Sequence, residues 1–296
     1  MTSDPRSETG RGYLYALICS LCSGAVPTLV KLLLNDNGPY AVSGLGIMIS
    51  GFILLFYHPK VKPTRGSLPY LLFIGIVGAA IAPIVWTVGL NETTAVNSAL
   101  LANGEVLFTT MVAFLAFGER LGRSQAARGI PIVAGIIIVS TNLDLAHVQF
   151  LQGIAGNLLI LASTVAWSFE NNFIVAATRK FSVPMLSKFR NLIGGGIVTV
   201  AVLLTGYPVR FSSSDLVDLA ALSLALAAAT YFFMASLQRL GAIRMILTYS
   251  LSTIFGATFA FFVLGEQITP VQLAGGALII TGVYLFRKSE KPAFVP

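Results

Sequence analysis

The sequence predicts an all-α, polytopic membrane protein, on three observations. Charge is scarce: 296 residues carry 19 Lys and Arg and 12 Asp and Glu, 10% of the chain, against roughly 25% in soluble domains. Apolar residues make up 55%, and mean hydropathy is +0.82. Those apolar residues fall in continuous runs near the roughly 20 residues that cross a bilayer core of about 30 Å. A soluble domain, a disordered chain, a coiled coil and a disulfide scaffold are excluded by composition. An outer-membrane barrel would alternate apolar and polar positions, and these runs do not.

Ten spans are expected in order: Tyr13–Leu34, Pro39–Tyr57, Leu68–Leu90, Thr94–Phe117, Gln125–Thr141, Phe150–Ala176, Val183–Thr205, Leu216–Gln238, Ala242–Leu264 and Pro270–Phe286. The longest connections, His58–Ser67 and Gly206–Asp215, leave no room for a soluble domain. The first span follows a polar tail, is too long for a signal-peptide core and has no small-residue cleavage site after it, so it is read as retained. It holds both cysteines, Cys19 and Cys22. Their spacing is that of a redox pair, but a membrane helix gives neither the strand context nor the electropositive surface such a pair needs. Packing is the expected role.

Cations fix the orientation. Arg6 and Arg11 sit in the tail, and Lys60, Lys62 and Arg65 after span two. Arg120, Arg123 and Arg128 flank the 4–5 turn, and Arg179, Lys180, Lys188 and Arg190 the 6–7 turn. Arg239 and Arg244 flank the 8–9 turn, with Arg287, Lys288 and Lys291 at the end. With ten spans all of these share one side, and of the 19 only Lys31 and Arg210 fall opposite. The positive-inside rule then places both termini in the cytoplasm. The +7 charge speaks for lipid contact rather than nucleic-acid binding.

The chain is also repeated. Gly118-Glu119, Gln125, Gly129 and Gly135 recur as Gly265-Glu266, Gln272, Gly276 and Gly282, and Phe108 and Phe114 as Phe255 and Phe261, each pair 147 positions apart. This implies two five-helix units, 13–143 and 150–287, between tails 1–12 and 288–296. Five is odd, so the second unit enters from the opposite side. Inverted repeats of this kind are common in secondary transporters and place the substrate site near the midplane.

Ten short-looped helices, the five-plus-five repeat and a Gly-Glu after the fourth helix of each unit resemble the EamA-type members of the drug/metabolite transporter superfamily. The run Asn91–Leu101 into Phe117-Gly118-Glu119-Arg120-Leu121 is similar to that of bacterial aromatic amino-acid exporters in the family. A Trp frequent in the first helix of each EamA unit is present as Trp167, while the first helix carries Cys22-Ser23 there. The resemblance implies ten helices around a central cavity and export of small metabolites across the inner membrane.

Ionisable groups at membrane depth are functional suspects. At 100° per residue Thr94, Ser98, Glu105 and Thr109 fall at about 0°, 40°, 20° and 60°, and Ser163, Trp167 and Glu170 at about 0°, 40° and −20°. Each set is one narrow stripe. Thr248, Ser252 and Phe255 share a face, as do Tyr231, Met234 and Gln238, and span three adds Pro83, Trp86 and Thr87. The expected cavity residues are Trp167, Glu105, Ser98, Glu170, Trp86, Tyr231, Ser252, Thr248 and Ser163, with Glu105 as the candidate for coupling. Aromatics with a few placed polar groups suit a zwitterion with an apolar side chain. The competing reading makes Glu105 and Glu170 interhelical hydrogen-bond glue. Glu119 and Glu266 read as helix-end caps, and Lys31 as a snorkelling side chain. Against an anionic cargo stands a shortage of cations at depth, since Arg244 and Lys31 lie near helix ends.

His58 and His147 lie in loops, so no metal cluster is apparent. There is no phosphate-binding G-x-x-x-x-G-K-[ST], and no Ser/His/Asp set at membrane depth. Neither an enzyme nor an ATP-driven pump is expected, no cofactor is called for, and no obligate protein partner is evident. The leading expectation is an alternating-access exporter of amino acids, aromatic ones among them. A drug-like cation, nucleotide or sugar is the alternative cargo.

Overall fold

The computed structural model describes residues 5–57, 60, 62–117, 123–141 and 149–287. Every regular element among the described residues is a helix, and none is a strand. The helices are α1 (Pro5–Leu34), α2 (Pro39–Tyr57), α3 (Arg65–Asn91), α4 (Ala95–Leu101 and Gly104–Phe117) and α5 (Arg123–Thr141). Then come α6 (Gln149–Thr178), α7 (Val183–Leu204), α8 (Ser213–Gly241), α9 (Arg244–Leu264) and α10 (Pro270–Arg287). Among the described residues, seven of these helices are long and apolar enough to cross a membrane, and two shorter apolar stretches, Ala127–Thr141 and Pro270–Leu285, lie in α5 and α10. Their outer faces carry Phe56, Leu115, Leu204 and Phe262, each more than 70% exposed. In water that surface would be one continuous aggregation site. In lipid it is the natural outside.

Helix boundaries depart from expectation in instructive places. The first helix begins at Pro5 rather than Tyr13, because Pro is at home in a first helical turn. Helix α3, expected as regular, contains a π-helical turn over Ile74–Ile81. Helix α4, expected to run unbroken from Thr94 to Phe117, is interrupted at Ala102-Asn103. There Asn103 donates both to Leu100 O and to Thr253 Oγ1 of α9. Helix α9 falters at Ser250, 147 positions beyond Asn103. Between α8 and α9 the chain turns on Gly241, whose φ of 76° is costly for any residue with a Cβ.

Packing follows a pattern of its own. Helix α1 lies along α8 and α9, while α6 lies along α3 and α4; α2 packs on α7 and α5 on α10. Lipid supplies no hydrophobic drive between helices, so close contact and interhelical hydrogen bonds must hold them. Gly194 illustrates the first: a methyl group there would collide with Ala79 of α3. A polar seam at one end of the bundle illustrates the second. Gln272 Nε2 donates to Asn97 Oδ1 at 2.8 Å, Asn97 Nδ2 to Thr93 Oγ1 at 3.2 Å, Thr93 Oγ1 to Asn157 Oδ1 at 2.6 Å, and Asn157 Nδ2 to Ser140 O at 2.9 Å. Beside it the Glu266 carboxylate accepts from the first amides of α4, Ala95 N at 2.9 Å and Val96 N at 3.0 Å. The expected capping role thus holds for Glu266, and the helix it caps belongs to the other half of the chain. Gly118-Glu119 lies outside the described residues.

Candidate functional site

The bundle encloses a cavity of about 200 Å³ between the two halves. Helix α1 contributes Cys19, Ser23 and Pro27; α2 contributes Ser43; α3 contributes Gly78, Trp86 and Thr87; and α4 contributes Ser98 and Glu105. From the far half come Trp167, Glu170 and Asn171 of α6, Arg190 and Asn191 of α7, Met234 of α8, and Tyr249 and Ser252 of α9. The break in α4 has a consequence here. It opens a second helix start inside the bundle, and Glu105 occupies its first turn, where the positive end of the helix dipole favours a carboxylate. Glu105 is 8% exposed, and Asn171 Nδ2 donates to its Oε1.

Two side chains converge on one backbone oxygen, and a third lies against the same residue. The π-helical turn in α3 displaces Gly78 O from the regular ladder, as such turns do at functional sites. Trp167 Nε1 donates to this oxygen at 3.0 Å and Arg190 Nη2 at 2.7 Å. Arg190 Nε also donates to Glu170 Oε1, and Nη2 to Glu170 Oε2 at 2.9 Å, a forked ion pair. Its Nη1 donates to Asn191 Oδ1 at 2.9 Å. Gly78 has no side chain because none fits: a Cβ would lie inside the Glu170 carboxyl group. The Trp86 and Trp167 rings stand 6.4 Å apart and give the cavity an aromatic wall. Two hydroxyls in the lining, Ser98 Oγ and Ser43 Oγ, are buried without a hydrogen-bond partner.

Six of the nine expected residues are therefore brought together: Trp167, Glu105, Ser98, Glu170, Trp86 and Ser252. Three are not. Ser163 is fully buried, its hydroxyl returned to Ile160 O at 2.6 Å. Thr248 bonds back to Arg244 O at 2.9 Å. Tyr231 packs edge-on against Phe232, centroids 5.4 Å apart, and against Tyr57 at 6.4 Å. The stripe partner Thr109 donates to Ser168 Oγ at 3.2 Å, and Thr94 caps α4. Cys19 and Cys22 are free thiols, and Cys19 faces the cavity.

Arg190 is the correction of most weight. Counted by turn it belongs with the loop cations, which leaves few cations expected at depth, yet it lines the cavity. Its neighbour Lys188 is fully buried, with its ammonium 5.2 Å from the Phe189 ring centroid. Among the described residues no group of three His, Cys, Asp or Glu is placed to hold a metal ion.

An all-helical bundle with an apolar exterior and a mixed aromatic and ionic central cavity defines a multi-pass membrane protein with an internal cavity. The chain belongs to the EamA-like transporter family, whose model matches it twice, over residues 10–141 and 154–287. A "probable amino-acid metabolite efflux pump" of Escherichia coli is 27% identical over 287 residues, covering 91% of this chain and 92% of that one. An uncharacterized transporter of Methanothermobacter thermautotrophicus is 24% identical over 292 residues, covering 93% and 85%. A solved crystal structure shares the fold at a TM-score of 0.67 and 16% identity, over 93% of this chain and 95% of its own.

Proposed function

We infer that the chain is a secondary transporter that exports amino acids, aromatic ones among them, across the inner membrane. Cargo passes through the central cavity as it opens to each side in turn. The observation that carries this reading is the cavity itself: an aromatic wall of Trp86 and Trp167 beside carboxylates, a guanidinium and unpartnered hydroxyls, all at mid-bundle. Such a site complements a small amphiphile with one apolar end and one charged end. The name of the Escherichia coli relative, an amino-acid metabolite efflux pump, supports the cargo class.

Ten spans in two inverted five-helix units belong to the same reading. Exchanging α1–α5 with α6–α10 leaves the packing pattern unchanged: α1 on α8 and α9 becomes α6 on α3 and α4, and the α2–α7 and α5–α10 pairs map onto themselves. The double family match supports the same division. With both termini cytoplasmic, the end of the bundle near Arg65, Arg179, Lys180 and Arg239 faces inward.

A drug-like cation is the second reading, and Glu105 favours it. Glu170 and Arg190 pair with one another, which leaves Glu105 as the acid in the described lining that an incoming cation can meet. The test is counterflow in proteoliposomes, with each of the twenty labelled amino acids against unlabelled competitors. Uptake of amino acids with aromatic ones among the fastest is expected. Exchange of organic cations with no amino acid carried would overturn the reading in favour of the second.

A further inference from the structure

We propose that Arg190 is the carboxylate anchor of this cavity, and that Glu170 occupies it as an internal surrogate until a zwitterionic cargo takes its place. The inference rests on the amino-acid reading above and names the group that would recognise the cargo's acid end.

The geometry comes first. Arg190 presents Nε and Nη2 as a fork, and Glu170 meets it with both oxygens. This is the arrangement by which a guanidinium binds any carboxylate. Gly78 O and Asn191 Oδ1 take two further N–H groups and hold the guanidinium plane in place. An anchor built this way stays oriented when its carboxylate partner changes. The Glu170 side chain is 2% exposed, while the Arg190 side chain keeps 14% of its surface open. Arg190 is therefore the half of the pair that an incoming group can reach.

Charge bookkeeping selects the cargo. Within the described lining the acidic and basic side chains are Glu105, Glu170 and Arg190. A zwitterion inserted into the pair puts its carboxylate on Arg190 and leaves its ammonium facing Glu170 and Glu105, adding no net charge to a low-dielectric space. A monocarboxylate would add a negative charge beside two carboxylates. An amine could meet Glu105, but it would leave the Glu170–Arg190 pair closed.

The alternative is that the pair merely fastens α6 to α7. The internal repeat argues against it. At the spacing of 147, Glu105 corresponds to Ser252, Glu170 to Ser23 and Arg190 to Ser43. All six line the cavity. Where α1 meets α2 in the position equivalent to α6 and α7, the fold stands with two serines. The charges are not what this helix arrangement requires, and a buried ion pair adds little net stability over neutral packing in any case. They set one pole of the cavity apart from the other.

The experiment measures counterflow of labelled phenylalanine in proteoliposomes against four unlabelled competitors: phenylalanine, its methyl ester, phenethylamine and 3-phenylpropionate. Where another amino acid is carried faster, it and its own three analogues are used. In the wild-type protein, phenylalanine should compete at least about tenfold better than each analogue, because a site built around a polar group rejects cargo lacking it. Arg190→Gln alone strands Glu170, so the neutral pair Glu170→Gln/Arg190→Gln is made with it. In that double variant the advantage of the acid over its ester should shrink to about twofold. Glu170→Gln, which removes the surrogate and leaves the anchor, should let 3-phenylpropionate compete at least about tenfold better than it does in wild type. A merely structural pair would not produce that gain. An ester as effective as the acid in wild type, or a monodisperse double variant that keeps the acid preference, overturns the anchor and leaves amino-acid export standing. If no amino acid is carried at all, the amino-acid reading falls and the anchor with it.

Discussion

Replacing Gly78 with alanine puts a methyl group where the Glu170 carboxyl group sits. On an unobstructed helix the change should stabilise, since alanine gains up to about 1 kcal/mol over glycine in helix propensity. Here the sign reverses. Overpacking a close contact costs about 1–3 kcal/mol. The displaced carboxylate also leaves the Arg190 fork, and breaking a buried pair costs about 3–5 kcal/mol. The two costs overlap, because one movement causes both, so about 3–5 kcal/mol is the expected loss. At about 2–4 °C per kcal/mol for larger domains, Tm should fall by roughly 10 °C, read as the loss of monodisperse protein on heating in detergent. The control is the same substitution in a Glu170→Ala background, where the obstruction is gone and the cost should drop below about 1 kcal/mol. That gives a coupling of at least about 2 kcal/mol between positions 78 and 170. An equal loss in both backgrounds, or a rise in Tm for Gly78→Ala alone, would refute the convergence of side chains on the π-helical turn.

Three more expectations follow from the same geometry. Cysteines placed at Asp36 and Arg210 should react with an impermeant thiol reagent from outside, and those at Lys62 and Arg179 should not; outside labelling of Lys62→Cys would overturn the orientation. Asp215 is a poor site for such a label because it is buried, accepting from Asn37 Nδ2 at 3.2 Å and from Ser212 N at 2.8 Å. Glu105→Gln keeps an acceptor for Asn171 but cannot titrate, so transport should fall or lose its pH dependence while insertion is normal; wild-type rates with an unchanged pH profile would reduce Glu105 to a tie between α4 and α6. Trp167→Ala should lower transport of Phe, Trp and Tyr with near-normal protein in the membrane, and loss of protein in step with transport would favour packing, since truncating a packed Trp can cost about 3–5 kcal/mol.

The helical bundle was legible because lipid imposes one demand, an apolar run of sufficient length, and composition answers it directly. The span Pro39–Tyr57 agrees with its helix at both ends. Interruptions were not legible in the same way. Ala102-Asn103 is no stronger a breaker than many pairs inside regular helices, and the break exists because Asn103 reaches Thr253 on another helix. The π-helical turn likewise spans an ordinary apolar run, Ile74–Ile81. Ser98 and Glu105 still line one cavity, as their shared helical phase suggests, since a two-residue break rotates the stripe without scattering it. Arg190 was missed because counting cations by turn ignores depth. Seven residues past Val183 is about 10 Å into the helix, and Glu170 lies eight residues before Thr178, about 12 Å from the same turn. Opposite charges equally far from a helical hairpin were the available signal. Gly78 left no signal at all, for its meaning lies in what two other helices bring to it.

The carboxylate of Glu266, resting on the first two amides of α4, bears on how this end of the bundle would come apart. A carboxylate-to-amide bond contributes about 1.5–3 kcal/mol while water is kept away. Glu266 is half-buried rather than sealed, so each bond that breaks there can be replaced by one to solvent. The neighbouring seam from Gln272 to Ser140 is made of neutral partners, which separate without stranding a charge. Parting the polar contacts of these helices would thus be a stepwise exchange of protein partners for water. The polar part of that separation would proceed one bond at a time, like a zip fastener. Its rate should respond to single hydrogen-bond substitutions along the seam far more than to changes in the lipid-facing surface.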